Sequence, residues 1–187
     1  LDVLSDASRK SMQVIFHDFN EDGFPDIFVA NDTDANGFYL NRGDGTFKVF
    51  SGPSGLSTTD GSMGIAIGDI NNDGLSDIVY TNYAAEVNAI AYLIDNKSSN
   101  DGKLKNAVFT QNFDSPMIHK LSWPKISWGP GLFDLDNDGD LDLFFANGHL
   151  NSVSGDNRQS NLLFKNNGSG LFKDISHSSG IIKTGQR

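Results

Sequence analysis

An all-β fold of three propeller blades is predicted by a sequence unit that occurs three times in the 187-residue chain. Each unit holds one aspartate-rich loop between two short apolar segments, and two further apolar segments follow it. Four short strands per unit, joined by turn residues, are typical of the radially repeated sheets of a β-propeller. No segment shows a convincing helical period.

The first two strands of each unit flank the loop. The first is predicted at 14–16, 65–67 and 132–133, and a Ser-Met/Trp-Gln/Gly motif precedes it at 11–13, 62–64 and 127–129. The second is apolar throughout, which indicates burial on both faces, and is predicted at 27–30, 78–81 and 143–146. Each second strand ends at an asparagine: Asn31, Asn82 and Asn147.

The outer two strands of each unit close a hairpin. The third is predicted at 38–41, 90–94 and 161–166, and the fourth at 46–50, 107–110 and 171–175. The turns at 42–45 and 167–170 have the glycine-rich composition of hairpin loops. The second unit has no such clean turn, so its outer strands are the least defined. The Arg42-Gly43-Asp44 tripeptide falls in the first turn and is interpreted as turn chemistry.

One partial propeller domain is therefore predicted over residues 1–187, with blades at about 11–57, 62–120 and 127–182. A closed propeller typically needs about 4–8 blades, so we expect further blades or further copies to complete the ring. The start at Leu1 and the motif-like ending at 185–187 both fit an excised piece of a longer chain. Polar insertions are expected at 95–105, 112–124 and 148–160, and the first and third are candidate docking surfaces.

The aspartate loops predict metal binding. Each has side-chain oxygens at positions 1, 3, 5 and 9 and glycine at position 6, in loops 18–26, 69–77 and 134–142. A hard cation such as calcium takes six to eight oxygen ligands, and glycine permits the sharp turn around it. Position 7 would offer its backbone carbonyl. A helix-flanked EF-hand or dockerin site also needs an acidic residue at position 12, where this chain has Val29, Tyr80 and Phe145. Empty loops, with aspartate and glycine as turn formers only, remain the other alternative.

The composition supports a folded, acidic chain. Net charge is −10, from 14 basic and 24 acidic residues, which disfavours nucleic acid or an anionic membrane as a partner. Only Glu21 and Glu86 are glutamates, and three bound divalent cations would bring the charge to −4. Cysteine is absent, which excludes disulfides, and no apolar stretch is long enough to span a membrane.

The three units resemble the FG-GAP/VCBS repeats of calcium-binding β-propellers, as in integrin α-chain heads. The Met/Trp-Gln/Gly pairs stand where that family has Phe-Gly. Segments 128–129, 145–149, 161–168 and 172–175 more narrowly resemble bacterial propellers associated with the ASPIC/UnbV module. The resemblance implies three structural calcium ions, held by Asp18, Asn20, Asp22, Phe24 (carbonyl) and Asp26; Asp69, Asn71, Asp73, Leu75 (carbonyl) and Asp77; and Asp134, Asp136, Asp138, Asp140 (carbonyl) and Asp142.

Two features distinguish the units within this resemblance. The first unit departs from the family pattern, with Gln13 in place of glycine and Pro25 inside the loop. The third loop has four side-chain carboxylates, whereas the other two have three, because Asn20 and Asn71 each replace one. Since ligand charge tunes affinity, the third loop is predicted to bind calcium most tightly.

Other residues with candidate chemistry are few. The four histidines, His17, His119, His149 and His177, lack metal-ligand spacing, and no nucleophile elbow or phosphate loop occurs. They are interpreted as structural or solvated. Trp123 and Tyr83 are candidates for stacking on sugar rings, whereas Trp128 is expected to plug the core between blades. Three glycosylation-type tripeptides, at 31–33, 96–98 and 167–169, are common by chance in an Asn-rich chain.

Together these features predict an extracellular, cell-surface or periplasmic calcium-stabilised propeller module. Its expected role is binding or adhesion to a protein or glycan, or assembly with further blades. A non-catalytic chain is expected. The alternatives are a segment of a polysaccharide-active enzyme, whose activity would depend on His149 or His119, and a subunit of an extracellular polymer.

Overall fold

A computed structural model describes residues 9–94, 106–111, 115–149 and 158–182. The predicted insertion 95–105, most of 148–160, the tripeptide at 96–98 and the ending 185–187 lie wholly or mainly outside these ranges. The elements in chain order are β1 (Ser11–His17), β2 (Asp26–Asn31), β3 (Gly37–Asn41), β4 (Phe47–Val49), α1 (Ser51–Ser54), β5 (Ile65–Gly68), β6 (Asp77–Tyr80), β7 (Ala89–Leu93), β8 (Phe109–Gln111), α2 (Pro116–Ser122), β9 (Ser127–Phe133), β10 (Asp142–Asn147), β11 (Leu162–Asn166) and β12 (Phe172–Asp174).

Twelve strands in the described ranges form three four-stranded sheets. Each sheet is an antiparallel meander in chain order, β1 to β4, β5 to β8 and β9 to β12. The all-β prediction of three propeller-like blades is therefore confirmed, and the three blades do not close a ring. All strands of a sheet lie inside the predicted range of one blade, and β8 begins two residues later than predicted.

The second strand of each blade is buried because both of its faces are covered. In β2, Ile27 and Phe28 are both buried although their side chains point to opposite faces of the sheet. The same holds for the four residues of β6, which are all buried. The continuous apolar runs that predicted these strands thus arise from packing on neighbouring blades.

Two apolar clusters fill the spaces between successive blades. The first joins blades one and two through aromatic rings, with Phe28 and Tyr80 at 5.8 Å and Phe19 and Phe109 at 5.5 Å between ring centroids. The second joins blades two and three, where Val79 of β6 shares a cluster with Phe145 of β10. Each pair of successive blades therefore shares one apolar cluster.

The Ser-Met/Trp-Gln/Gly motif lies where adjacent blades approach most closely. A Cβ on Gly64 would lie 2.7 Å from Cδ of Pro130 and 2.8 Å from Cα of Gly129, so a side chain here would meet the next blade's backbone. In blade one, Gln13 replaces this glycine and its amide bonds the backbone of Ile65, accepting from N at 2.8 Å and donating to O at 3.4 Å. The departure at Gln13 therefore exchanges close packing for a hydrogen-bonded contact.

The outer face of blade one is apolar and uncovered. Met12, Val14 and Phe16 alternate along β1 and are 50%, 49% and 61% exposed. Val49 of β4 is exposed as well. On an inner blade the corresponding face is packed against a neighbour, so this face has the composition of an interface between blades.

Two predictions about packing were wrong. The insertion 112–124 was expected to be a polar loop without helix, but it contains α2, whose Ile118 is buried against the second cluster. Seven residues beginning at Pro116 are too short to show a helical period. Trp128 does not plug the core: its indole is half-buried outside both clusters and donates from Nε1 to Gly148 O at 2.7 Å.

Candidate metal centres

The three aspartate loops share one backbone conformation. Position 4 is left-handed although it is not glycine, with φ of 56° at Glu21, 58° at Asn72 and 60° at Asn137. The glycine at position 6 is also left-handed, with φ from 86° to 95° in the three loops. Glycine was predicted there, whereas the left-handed residue at position 4 was not, since side chains rarely adopt it. The agreement of three different sequences shows that the loop pattern fixes this geometry.

The first aspartate of each loop holds the turn together. In loop one, Asp18 accepts hydrogen bonds from the N–H groups of Asp22 at 3.0 Å and Gly23 at 2.7 Å. Asp69 and Asp134 accept the same pair of bonds in the other loops. The aspartate at position 5 then accepts from the N–H of position 7, as Asp22 does from Phe24. In loops one and two the amide oxygen at position 3 also accepts from the N–H of position 5, so the side-chain oxygens of positions 1, 3 and 5 all bond the same turn.

The aspartate at position 9 is a buried clamp. Asp26 accepts from the N–H of Phe19 at 3.2 Å and of Asn41 at 2.9 Å, so its two oxygens join the loop to β3. Asp77 and Asp142 make the equivalent bonds in blades two and three. All three side chains are completely buried. Sequence reasoning assigned position 9 as a metal ligand and did not foresee this structural role.

Burial changes the acidity of two of these clamps. It raises the pKa of Asp26 to about 6 and that of Asp77 to about 7, although the two backbone N–H groups at each carboxylate oppose the shift. Neighbouring loop carboxylates raise both values further. A cation in the loop would act in the opposite direction and favour the charged form.

The donor set in loop three fits a hard cation. Carboxylate oxygens of Asp134, Asp136 and Asp138 all lie within 4.8 Å of one another, and Asp142 is not part of this group. In loops one and two an amide replaces the second of these carboxylates, and Asn20 and Asn71 donate to Asp22 and Asp73. Carboxylate, amide and carbonyl oxygens are the ligands that calcium prefers. Among the described residues, no hydrogen bond uses the position-7 carbonyls of Phe24, Leu75 and Asp140.

Loop three differs from the others through one lysine. The ammonium group of Lys165, on β11, contacts Asp136 and lies 3.1 Å from Oδ2 of Asp138. It therefore lies beside the carboxylates that would hold the cation. The charge count of the loop alone, on which the predicted affinity order depends, does not include this lysine.

Loops two and three are also bonded to each other. Asn72, at position 4 of loop two, donates from Nδ2 to Oδ1 of Asp140 at 2.8 Å and to the carbonyl of Gly168. The side chain of Asp140 thus points to the neighbouring loop, and metal binding through its backbone carbonyl stays a prediction. Asn166 adds a bond from Nδ2 to Ile70 O at 2.7 Å.

A second repeated polar network lies at the opposite ends of the strands. Asn36 accepts from the N–H of Asn31 at 2.9 Å and donates to Ser62 Oγ of blade two at 3.1 Å. In the next blade, Asn88 accepts from Asn82 and donates to Ser127 Oγ at 2.8 Å. The serines and the strand-ending asparagines were visible as repeats. Asn36 and Asn88 were missed because they stand five and six residues after their partners, in loops of unequal length.

The remaining candidate residues are the histidines and the exposed aromatic residues. Burial lowers the pKa of His17, whose ring packs edge-on against Phe19 at 4.9 Å. The rings of His149 and Tyr83 meet edge to face, with 6.5 Å between their centroids. Burial also lowers the pKa of His119, which lies on α2 one turn before Trp123. Trp123 is 50% exposed, as predicted.

Comparison with known proteins gives one family and one set of relatives. Residues 18–80 match the family model described as FG-GAP-like repeat. The chain is 30% identical over 162 residues to cartilage acidic protein 1 of Homo sapiens, which covers 86% of this chain and 22% of that protein. For the Xenopus tropicalis protein of that name the identity is 32% over 124 residues, covering 65% of this chain and 17% of that protein. The chain therefore spans about a fifth of the length of these curated relatives.

The match supports the predicted FG-GAP-type repeats, and the narrower resemblance to ASPIC/UnbV-associated propellers stays a prediction. Within the described ranges, no helix is long and apolar enough to cross a membrane.

Proposed function

Because the chain carries the FG-GAP-like repeat, we propose that it is a calcium-stabilised β-propeller module. It works outside the cell by binding a protein or glycan ligand. The observation that carries the proposal is the common geometry of the three aspartate loops, with carboxylates from positions 1, 3 and 5 of loop three grouped within 4.8 Å. Each loop would hold one calcium ion through the residues assigned to it from the sequence.

Calcium would act on folding rather than on a substrate. Carboxylates held this close repel each other, and a divalent cation would remove that repulsion only in the folded loop. Because each loop joins the first strand of a blade to the second, cation binding would stabilise the blade and its contacts. The position-9 clamps, which already bond backbone N–H groups, would transmit this order to the third strand.

An extracellular setting supports the metal assignment. Extracellular calcium modules bind at about 10⁻⁴ to 10⁻³ M, which matches calcium outside cells and exceeds cytosolic levels. The relatives are named for cartilage and for their acidity, and this chain is acidic too, with a net charge of −10. We propose the same kind of location here: extracellular, cell-surface or periplasmic.

We also propose that the module is not an enzyme. The family match is to a repeat, and the relatives' name states no reaction. The alternative enzyme was predicted to depend on His119 or His149. The ring of His149 packs against Tyr83, and His119 lies on α2. Assays on soluble polysaccharides with wild type, His119→Ala and His149→Ala test this. Turnover by wild type that either substitution abolishes would contradict it.

Assembly with further blades is proposed for the uncovered face of β1. Met12, Val14 and Phe16 lie there as the apolar residues of an inner blade do, so another blade of the parent chain or of a second copy would cover them. The same contact, repeated from one copy of the chain to the next, would give a polymer. Sedimentation and electron microscopy of wild type and Phe16→Ser distinguish a closed ring from filaments, and monomers unaffected by the substitution would contradict the proposal.

The metal assignment is tested by unfolding and calorimetry. Chelation with EDTA should lower the melting temperature of the chain, excess calcium should restore it, and titration should give three calcium ions per chain. Asp22→Ala, Asp73→Ala and Asp138→Ala should each remove one ion, because position 5 is a ligand that does not clamp the strands. A melt unchanged by EDTA, or loops that remain empty at about 10⁻³ M calcium, would refute structural calcium.

A further inference from the structure

A cleft lies at the ends of the strands opposite to the aspartate loops. It has a volume of about 540 Å³ and is formed by residues 57–60 between blades one and two, residues 85–87 after β6, Gln111 and Trp123. A smaller recess of about 50 Å³ shares three of its lining residues and adds His119. Small-ligand sites typically have volumes of about 300–1,000 Å³, so this Trp123 cleft is large enough for a ligand of a few rings.

The half-exposed indole of Trp123 lines the cleft and is carried by a hydrogen-bonded backbone. The backbone N–H of Trp123 donates to His119 O at 2.9 Å, and its backbone carbonyl accepts from the N–H of Ala85 at 2.7 Å. Ala85 has a φ of 65°, which is unfavourable for a residue with a side chain. The backbone that carries the ring is thus bonded on both sides, so a ligand that stacks on the indole meets a side chain whose backbone is already ordered.

The polar groups of the cleft are positioned in advance. Oε2 of Glu86 accepts from the N–H groups of Gly61 at 2.8 Å and Tyr83 at 3.2 Å, which holds the carboxylate in place. Gln111 donates from Nε2 to Tyr80 Oη at 2.7 Å, and this fixes its amide so that Oε1 can accept. The described lining residues also provide three hydroxyl groups, on Ser57, Thr58 and Thr59.

The charge of the cleft selects among ligands. Among the described residues, its charged lining residues are Asp60 and Glu86, and no lysine or arginine of that part of the chain lines it. A sulfated or uronic acid polymer would be repelled by these carboxylates. A neutral sugar has an apolar C–H face that an indole can cover. Its hydroxyl groups can donate hydrogen bonds to carboxylate and amide oxygens.

We propose that the Trp123 cleft binds a neutral saccharide. This inference rests on the binding function proposed above and names its site and ligand class. Trp123 would stack on a sugar ring, and Asp60, Glu86 and Gln111 would accept bonds from its hydroxyls. The Trp123 cleft would admit the end of a saccharide chain or an extended oligosaccharide.

A basic peptide is the competing ligand, because lysine or arginine could also stack on the indole and pair with the carboxylates. The saccharide is favoured by the lining as a whole. Glu86 already receives two backbone N–H bonds, and the hydroxyl and amide groups outnumber the charged ones. A saccharide can bond hydroxyl, amide and carboxylate groups alike, whereas an ammonium or guanidinium group would use mainly the two carboxylates.

The test is titration of the full chain in excess calcium with soluble neutral oligosaccharides: malto-, cello-, xylo-, manno- and galacto-oligosaccharides. Heparin and polygalacturonate represent anionic glycans, and poly-lysine represents basic peptides. Tryptophan fluorescence and calorimetry give the affinities. Trp123→Ala removes the platform, Phe133→Ala is the matched control because its exposed ring does not line the cleft, and Trp128→Phe assigns the fluorescence change to Trp123.

We expect a neutral oligosaccharide to bind. Trp123→Ala should weaken this binding about tenfold or more, and Phe133→Ala should leave it unchanged. Equal binding by wild type and Trp123→Ala overturns the cleft but leaves the binding function intact. Poly-lysine binding lost in Trp123→Ala, with no oligosaccharide bound, overturns the saccharide in favour of a basic peptide. The EDTA melt reports on the calcium-stabilised module independently of these outcomes.

Discussion

Lys165 places its ammonium group 3.1 Å from Oδ2 of Asp138, inside the loop that has the most carboxylates. The N–H groups of Asn41, Leu93 and Asn166 all donate to a position-9 aspartate, so Leu40, Tyr92 and Lys165 are equivalent residues in the three blades. Of the three loops, loop three is therefore the one whose equivalent residue on the third strand is a lysine. The N–H of Asp140 and then the lysine hold the pKa of Asp138 below its usual range.

The first prediction concerns the affinity of loop three for calcium. Lys165→Met should raise it, because a calcium ion would no longer share Asp136 and Asp138 with the ammonium group. The increase should be about threefold, as expected for an exposed ion pair, and should shrink in high salt. Calorimetric titration of chains in which the other two loops carry Asp22→Ala and Asp73→Ala measures it directly.

The matched control is Lys173→Met, which removes the same charge from the residue opposite Lys165 on the neighbouring strand β12. In the described ranges, Lys173 makes no ion pair with loop three, whereas Lys165 does. Equal affinities for the Lys165→Met and Lys173→Met variants would show that the lysine does not compete with the metal. The same titrations of the wild-type loops decide whether loop three binds most tightly, as its carboxylate count predicts.

The second prediction concerns pH. The pKa of Asp77 is about 7 in the metal-free fold and about 3.9 in an unfolded chain, so the folded state binds more protons between these values. The contribution of Asp77 to stability is therefore greatest at low pH and falls as pH rises toward 7. In EDTA, the melting temperature should fall by roughly 5 °C between about pH 5 and pH 8.

Asp77→Asn removes the titrating group, and its melt should depend less on pH than the wild-type melt in EDTA. In excess calcium the wild-type dependence should also decrease, because the cation favours the charged carboxylate. Equal slopes for wild type and Asp77→Asn in EDTA would show that burial does not shift this pKa.

The sequence predicted much of this molecule because its main signals are local and repeated. Loop spacing, apolar runs and hairpin turns placed all twelve described strands. What it missed depends on contacts between distant segments. The role of Lys165 requires the approach of β11 to a loop about 30 residues earlier, and the clamp role of Asp26 requires the N–H of Asn41. Helix α2 was missed because seven residues show too little helical periodicity in the sequence. The packing of Ile118 in the second cluster, which supports the helix, is visible only in the structure.

The third prediction concerns the asparagine network between blades. Asn88→Ala should lower the free energy of unfolding by about 2–3 kcal/mol. It leaves the buried N–H of Asn82 without a partner and removes one of the two bonds of the Ser127 hydroxyl, which still donates to Asn147. Asn161→Ala is the control, since Asn161 accepts from Asn147 but bonds no serine of a following blade in the described ranges. It should cost about 1 kcal/mol. Denaturant unfolding measures both, and equal losses would refute a contribution from the contact between blades.

The fourth prediction concerns the close approach of blades two and three. Gly64→Ala would place its methyl group 2.7 Å from Cδ of Pro130 and 2.8 Å from Cα of Gly129, where the backbone of β9 leaves no room. The blades would have to separate, at a cost of about 1–3 kcal/mol. Gly129 has the same motif position in blade three, but a Cβ there meets no atom within 4 Å. Gly129→Ala should therefore leave the melting temperature of this chain nearly unchanged. If both substitutions destabilise the chain equally, the glycine serves the strand itself, and the spacing of the blades does not depend on it.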